Sequence, residues 1–184
     1  MYTMKKTLFF AILFSFSLQA FSQVTEKSLA LYGAAKLVLE KPIDNYSTIS
    51  LVPSLGILNT SDINYLLLGV GAEYRFYFTG TAPMGLYSGV GIGYSFGNAR
   101  IVNENLSGYN LKTDVGGVLG HLVIGRQWIF ENGLLLNVNI GAHYLNLGFK
   151  QGAADFSSVK AFKGVMPGIG FCIGFRLKSS SCDR

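Results

Sequence analysis

A two-residue period recurs along most of this 184-residue chain, and it constrains the fold more than any other feature. Within residues 65–78 one parity reads Leu66, Leu68, Val70, Ala72, Tyr74, Phe76 and Phe78. The other reads Tyr65, Leu67, Gly69, Gly71, Glu73, Arg75 and Tyr77. Alternation this long specifies a β-strand, because successive side chains of an extended chain point to opposite faces. Residues 86–96 set Leu86, Val90, Ile92, Tyr94 and Phe96 against Gly89, Gly91, Gly93 and Ser95. Residues 133–144 set Leu134, Leu136, Val138, Ile140 and Tyr144 against Asn137, Asn139, Gly141 and His143. Residues 165–177 set Val165, Ile169, Phe171, Ile173, Phe175 and Leu177 against Gly168, Gly170, Cys172, Gly174 and Arg176.

Three runs are less regular. Residues 46–58 contain Pro53, which has no amide proton and predicts a bulge or a site that needs no donor. Residues 116–130 place Arg126 on the parity of Val118, Leu122, Ile124, Trp128 and Phe130. Either Arg126 snorkels to an interface or a bulge shifts the parity there. Residues 29–40 alternate Leu31, Ala35, Leu37 and Leu39 with Lys36 and Glu40.

Composition decides which face is inside. The chain is 49% hydrophobic and only 14% charged, with 23 glycines. That is too apolar for disorder and too rich in glycine for a helical bundle. Two cysteines are too few for a disulfide scaffold. A water-soluble barrel would turn the bulky face inward and solvate the other, yet that other face is mostly glycine. Inverting the faces resolves the conflict: large apolar residues meet lipid, while glycine, serine, asparagine and a few charges fill a narrow lumen. Outward-apolar alternation of this kind is the signature of a transmembrane β-barrel. After residue 22 no stretch reaches the roughly 20 apolar residues of a spanning helix. Only a closed barrel then satisfies every backbone group in lipid. Aromatic residues gather at strand ends, as interfacial girdles do.

Residues 1–22 have the pattern of a signal peptide. Lys5 and Lys6 supply positive charge, residues 8–14 open an apolar segment, and Ala20-Phe21-Ser22 offers a cleavage site before Gln23. Residues 23–177 then form the barrel and 178–184 a periplasmic tail. Seven strands are clear, whereas bacterial barrels use an even number. An eighth strand is therefore expected within residues 24–40, with a tight loop near 32–35. The predicted class is all-β, an eight-stranded antiparallel up-and-down transmembrane β-barrel. Short connections are expected at 41–45, 79–84 and 131–133, and long ones at 98–114 and 146–163.

Two segments carry a resemblance. Residues 85–94 (GLYSGVGIGY) and 125–133 (GRQWIFENG) resemble small OmpA/OmpX-like outer-membrane β-barrel proteins of Gram-negative bacteria. The resemblance covers nearly the whole chain after residue 22, and its motifs encode mainly strand and turn. It implies an outer-membrane location and insertion by the barrel-assembly machinery. That machinery often reads a terminal aromatic residue. Here Phe175 is followed by Leu177 and the tail 178–184, a departure from the pattern.

No motif points to catalysis or a cofactor. Gly89-x-Gly91-x-Gly93 lacks the G-x-G-x-x-G spacing of a dinucleotide site, and no helix pattern follows. His121 and His143 are too few to hold a metal, and neither is followed at two residues by serine. Lumen-facing hydrogen bonding is their expected role. Cys172 and Cys182 are expected as free thiols, since ten extended residues span about 33 Å. Basic residues are scattered, which argues against nucleic acid.

The charges define the candidate site. Glu40, Glu73, Arg75, Gln127, Asn137 and Arg176 fall on the lumen parity near the short-turn ends of their strands. They are expected to form one polar layer that plugs the lumen, with Glu40 and Glu73 paired to Arg75 and Arg176. The expected function is non-enzymatic: envelope structure, or adhesion and ligand binding through loops 98–114 and 146–163, with membrane lipid as the surrounding partner. A membrane-embedded lipid-modifying enzyme and a secreted lipocalin-like binder are the alternatives.

Overall fold

The computed structural model describes residues 10–22, 29–60, 63–79, 81–101, 112–149 and 162–177. The strands are β1 (Phe10–Ser22), β2 (Leu29–Pro42), β3 (Ser47–Asn59), β4 (Ile63–Tyr77), β5 (Gly85–Ile101), β6 (Lys112–Ile129), β7 (Leu134–Phe149) and β8 (Lys163–Leu177). Strands β2 to β8 form one antiparallel sheet of seven strands, each paired with its sequence neighbour. The sheet curls, and β1 lies between its two edges, antiparallel to both β2 and β8, so the strand order returns on itself.

This arrangement corrects the expected hairpin within residues 24–40. Strand β2 runs unbroken through residues 32–35, with Gly33 opposite Ile57 and Ala35 opposite Leu55. Its small residues extend as easily as they turn, and a continuous partner strand decides for extension. The extra strand comes from Phe10–Ser22, inside the segment with the signal-peptide pattern. The expected long connection at 98–114 also shrinks. Asn98 pairs with Asp114 and Arg100 with Lys112, so strands occupy both ends of it. Neither irregular residue makes a bulge. Pairing continues past Pro53, opposite Val70, and past Arg126, opposite Leu86 and Val138.

The two faces separate as alternation requires. Ile92, Leu122, Ile140, Ile169 and Phe175 are each at least 60% exposed. The opposite parity is buried, but it is not uniformly polar. Towards the end away from the short turns, Leu58, Ile63, Tyr65, Leu67, Ala99, Val115, Leu145, Leu147 and Met166 pack into an apolar cluster. The expectation of a lumen filled by small and polar groups therefore fails at that end, and nearer the short turns Val38, Val52, Leu135 and Cys172 form a second apolar cluster beside the polar groups. The signal lay in Tyr65-Leu66-Leu67-Leu68, where both parities are apolar.

Turn chemistry closes the short end. Gly133 adopts a positive φ of 85°, and its amide donates to the Phe130 carbonyl at 2.9 Å. Asn132 Oδ1 accepts from the Leu134 amide at 3.0 Å, completing a tight Asn-Gly turn. In the β2–β3 turn, Asp44 accepts from the Ser47 hydroxyl at 2.6 Å and the Tyr46 amide at 2.7 Å. The Ser47 hydroxyl, helped by that amide, holds the Asp44 carboxyl below its usual range. A depressed folded-state value means that the turn is supported above the ordinary carboxylate range and loses that support as acid protonates Asp44.

Placing a charge on the outward face tests the assignment. Ile92→Arg should cost about 2–4 kcal/mol of unfolding free energy in lipid vesicles, the penalty of a mid-bilayer cation. On a solvated surface the same change would be nearly neutral, so unchanged stability would sink the outward-apolar assignment.

Candidate functional site: the polar layer of the lumen

Six strands, β2 to β7, send polar side chains to one level near the short-turn end. Glu40 of β2 is 1% exposed and sits at the centre. Its Oε1 accepts from the Thr48 hydroxyl at 2.6 Å and the Tyr77 hydroxyl at 2.8 Å. Its Oε2 accepts from Gln127 Nε2 at 2.9 Å and Arg75 Nη1 at 3.4 Å. Arg75 donates Nε to Glu73 Oε1 and Nη1 to Gln127 Oε1, the latter at 3.1 Å. Its guanidinium lies 4.8 Å from the centre of the Tyr87 ring. Gln127 joins the halves, accepting from Asn137 Nδ2 at 2.8 Å and donating to the Pro83 carbonyl at 2.7 Å. Asn137 Oδ1 in turn accepts from the Tyr87 hydroxyl and from Asn139 Nδ2, both at 3.1 Å.

The layer continues upward through Glu73. Its Oε2 lies 2.7 Å from His121 Nε2, and the His121 ring is 5.6 Å from that of His143. Two small cavities, about 50 Å³ and 40 Å³, are both bordered by Lys36, His121 and His143, and the second also by Glu73, Arg75 and Asn137 of the layer itself. Chemically the layer is a set of donors and acceptors that satisfy one another, except for the buried Ser50 hydroxyl, which lies between Glu40 and Glu73 in the register without a hydrogen-bond partner. Two carboxylates share one guanidinium, and hydroxyls and amides take the other bonds.

Glu40, Glu73, Arg75, Gln127 and Asn137 are thus brought together, and Arg75 alone bridges both carboxylates. Arg176 is not among them. It sits exposed near the end of β8, opposite Ala11 of β1, and its amide donates to the Gly133 carbonyl at 2.8 Å. Its parity is that of the lumen, but so near the strand end the side chain meets the surface. Thr48, Tyr77, Tyr87 and His121 complete the layer. Tyr77 and Tyr87 stand one strand apart, directly opposite each other, with rings 5.3 Å apart. That pairing was readable only once the register was known. Cys172 is buried and forms no disulfide among the described residues, and Cys182 lies outside them. Among the described residues no group of three His, Cys, Asp or Glu side chains could hold a metal ion.

Glycine makes the room for this layer. A Cβ on Gly125 would lie 2.7 Å from the Tyr87 hydroxyl oxygen. One on Gly170 would lie 2.5 Å from Asn139 Oδ1, and one on Gly91 would enter the His121 ring.

Comparison with solved structures places the architecture. The chain is similar to the N-terminal β-barrel domain of Pseudomonas aeruginosa OprF, with 13% identity and a TM-score of 0.50. The match covers 93% of this chain and 98% of that one. The β-domain of the Bordetella autotransporter BrkA aligns at 12% identity and a TM-score of 0.49, covering 96% and 74% of the two chains. Neisserial surface protein A aligns at 14% identity and 0.41, covering 92% and 96%. No protein-family model and no curated protein sequence matches the chain. At this identity the OprF domain supports a shared small β-barrel fold.

Arg75→Met leaves both carboxylates buried without their cation. It should cost about 3–5 kcal/mol in denaturant unfolding. Adding Glu73→Gln should cost less than the sum of the two single changes, since the residues are coupled. A cost for Arg75→Met below about 1 kcal/mol, as for a solvated pair, would show that the layer is not sealed from water.

Proposed function

We propose that this chain is a non-enzymatic outer-membrane β-barrel protein, eight-stranded and transmembrane, that serves envelope structure or loop-mediated adhesion and binding. The observation that carries the reading is the inversion of faces. Large apolar side chains such as Ile92 and Ile169 lie exposed, while Glu40, Glu73 and Arg75 are buried against one another. Such a surface is costly in water and suited to hydrocarbon. The polar layer closes the lower lumen as a structural plug. Membrane lipid surrounds the wall, the barrel-assembly machinery inserts it, and loops 98–114 and 146–163 meet extracellular ligands. Residues 1–22 act as the export signal, and 178–184 remain in the periplasm.

The alternatives fare worse on specific grounds. A lipid-modifying enzyme of the outer leaflet needs a catalytic group at the outer rim, but the titratable side chains gathered here lie towards the short-turn end. A lipocalin-like binder needs a solvated exterior, which the exposed apolar belt opposes.

Cell fractionation followed by a denaturing gel tests the reading. The protein should partition with outer membranes and migrate differently before and after boiling. Recovery in the soluble periplasmic fraction would overturn it. Amino-terminal sequencing of the membrane form should find Gln23 first if residues 1–22 are removed.

A further inference from the structure

An open groove of about 1030 Å³ runs across the outward face of β4 to β8. Two rows of cross-strand partners line it. One runs Phe76, Ser88, Ile124, Ile140, Ile169, and the other includes Tyr74, Val90 and Leu122. Ser88 is the small outward residue of the first row, set between Phe76 and Ile124, so the wall is low there. The volume lies at the upper end of the roughly 300–1,000 Å³ typical of small-molecule sites.

A cation stands at the groove's short-turn mouth. Arg126 occupies the next outward position of β6 after Ile124, between Leu86 and Val138 of the adjoining strands. Its guanidinium lies 5.3 Å from the centre of the Trp128 ring, which directs it towards the strand end. Among the described residues it has no carboxylate partner. A cation on a lipid-facing wall is expensive unless it reaches the interface and finds an anion. The planar guanidinium fork matches a phosphate in two parallel hydrogen bonds. Tryptophan marks the headgroup level.

We propose that the groove and Arg126 together seat one glycerophospholipid, with an acyl chain along the groove and the phosphate on the Arg126 guanidinium. This rests on the membrane reading above and names the lipid that the wall selects. Groove and cation are complementary to the two ends of one molecule. The apolar rows accept the chain, and the unpaired positive charge accepts the phosphate at the depth where Trp128 places the interface.

The test is native mass spectrometry of the full chain in mild detergent, delipidated and titrated with dipalmitoyl phosphatidylglycerol. Wild type should bind one lipid at low concentration. Arg126→Gln should weaken that first binding about tenfold, the loss of a charge-assisted contact, and Arg126→Lys should restore part of it. Ser88→Phe should weaken it as well, by filling the groove and leaving Arg126 in place. Each variant should keep the heat-modifiable gel mobility of a folded barrel. Equal lipid binding by wild type, Arg126→Gln and Ser88→Phe would overturn the proposal. So would a dimer mass without bound lipid, since a second copy would then cover the groove. Wild-type protein without heat-modifiable mobility would overturn the membrane reading itself, and with it the seat.

Discussion

The narrowness of the ring governs the rest of the structure. Eight strands enclose a space only wide enough for side chains to fill. Each inward position must therefore be chosen with the positions across and beside it. The His121 ring occupies the space that a side chain at Gly91 would need, and Tyr87 does the same at Gly125. The glycines are therefore the counterparts of the large polar groups. Removing that space would push apart the same contacts that hold Glu73 and Asn137 in place. The outward face has no such restriction, which is why bulk accumulates there.

Within that space, electrostatics selects what can be polar. Burying an unpaired charge in a low-dielectric medium is costly, and a buried pair is tolerable only when its remaining donors and acceptors are also satisfied. Glu40 meets that condition with four donors from four residues. Arg75 meets it with two carboxylates, one amide oxygen and one aromatic face. Since those partners come from β2, β3, β4, β5 and β6, the layer ties together strands that are not neighbours in the sheet. The apolar cluster at the other end needs no such matching, because apolar contacts are non-directional.

Much of this was legible in the sequence, for one reason: a strand between two different solvents writes its environment in period two. The runs 65–78 and 165–177 therefore predicted both element and face, and five of the six polar-layer residues lie together. What escaped depended on three-dimensional registration. Arg176 has the right parity, but it stands one residue from the end of β8 and is exposed. Tyr65 and Leu67 share the parity of Glu73, yet they sit in an apolar layer, since parity reports side and not depth. The hairpin expected near residues 32–35 followed from a counting rule. Pairing energy along β3 outweighed it.

Residues 10–22 show how two constraints can be written in one segment. Behind Lys5 and Lys6 they carry the apolar pattern expected of an export signal. They also alternate, with Phe10, Ile12, Phe14, Phe16 and Leu18 on one parity and Ser15, Ser17 and Gln19 on the other. The register sets Ile12 opposite Phe175, Phe14 opposite Ile173 and Leu18 opposite Ile169, the outward residues of β8. Because β1 is antiparallel to both neighbours, β2 and β8 run parallel to each other. Without β1 those two strands must close as a parallel pair or leave two edges of unpaired backbone. In hydrocarbon each unsatisfied group would cost several kcal/mol. An odd count closed by one parallel seam is physically allowed, as odd-stranded mitochondrial barrels demonstrate. Residues 10–22 thus close the sheet between β2 and β8 while carrying the sequence pattern expected of an export signal.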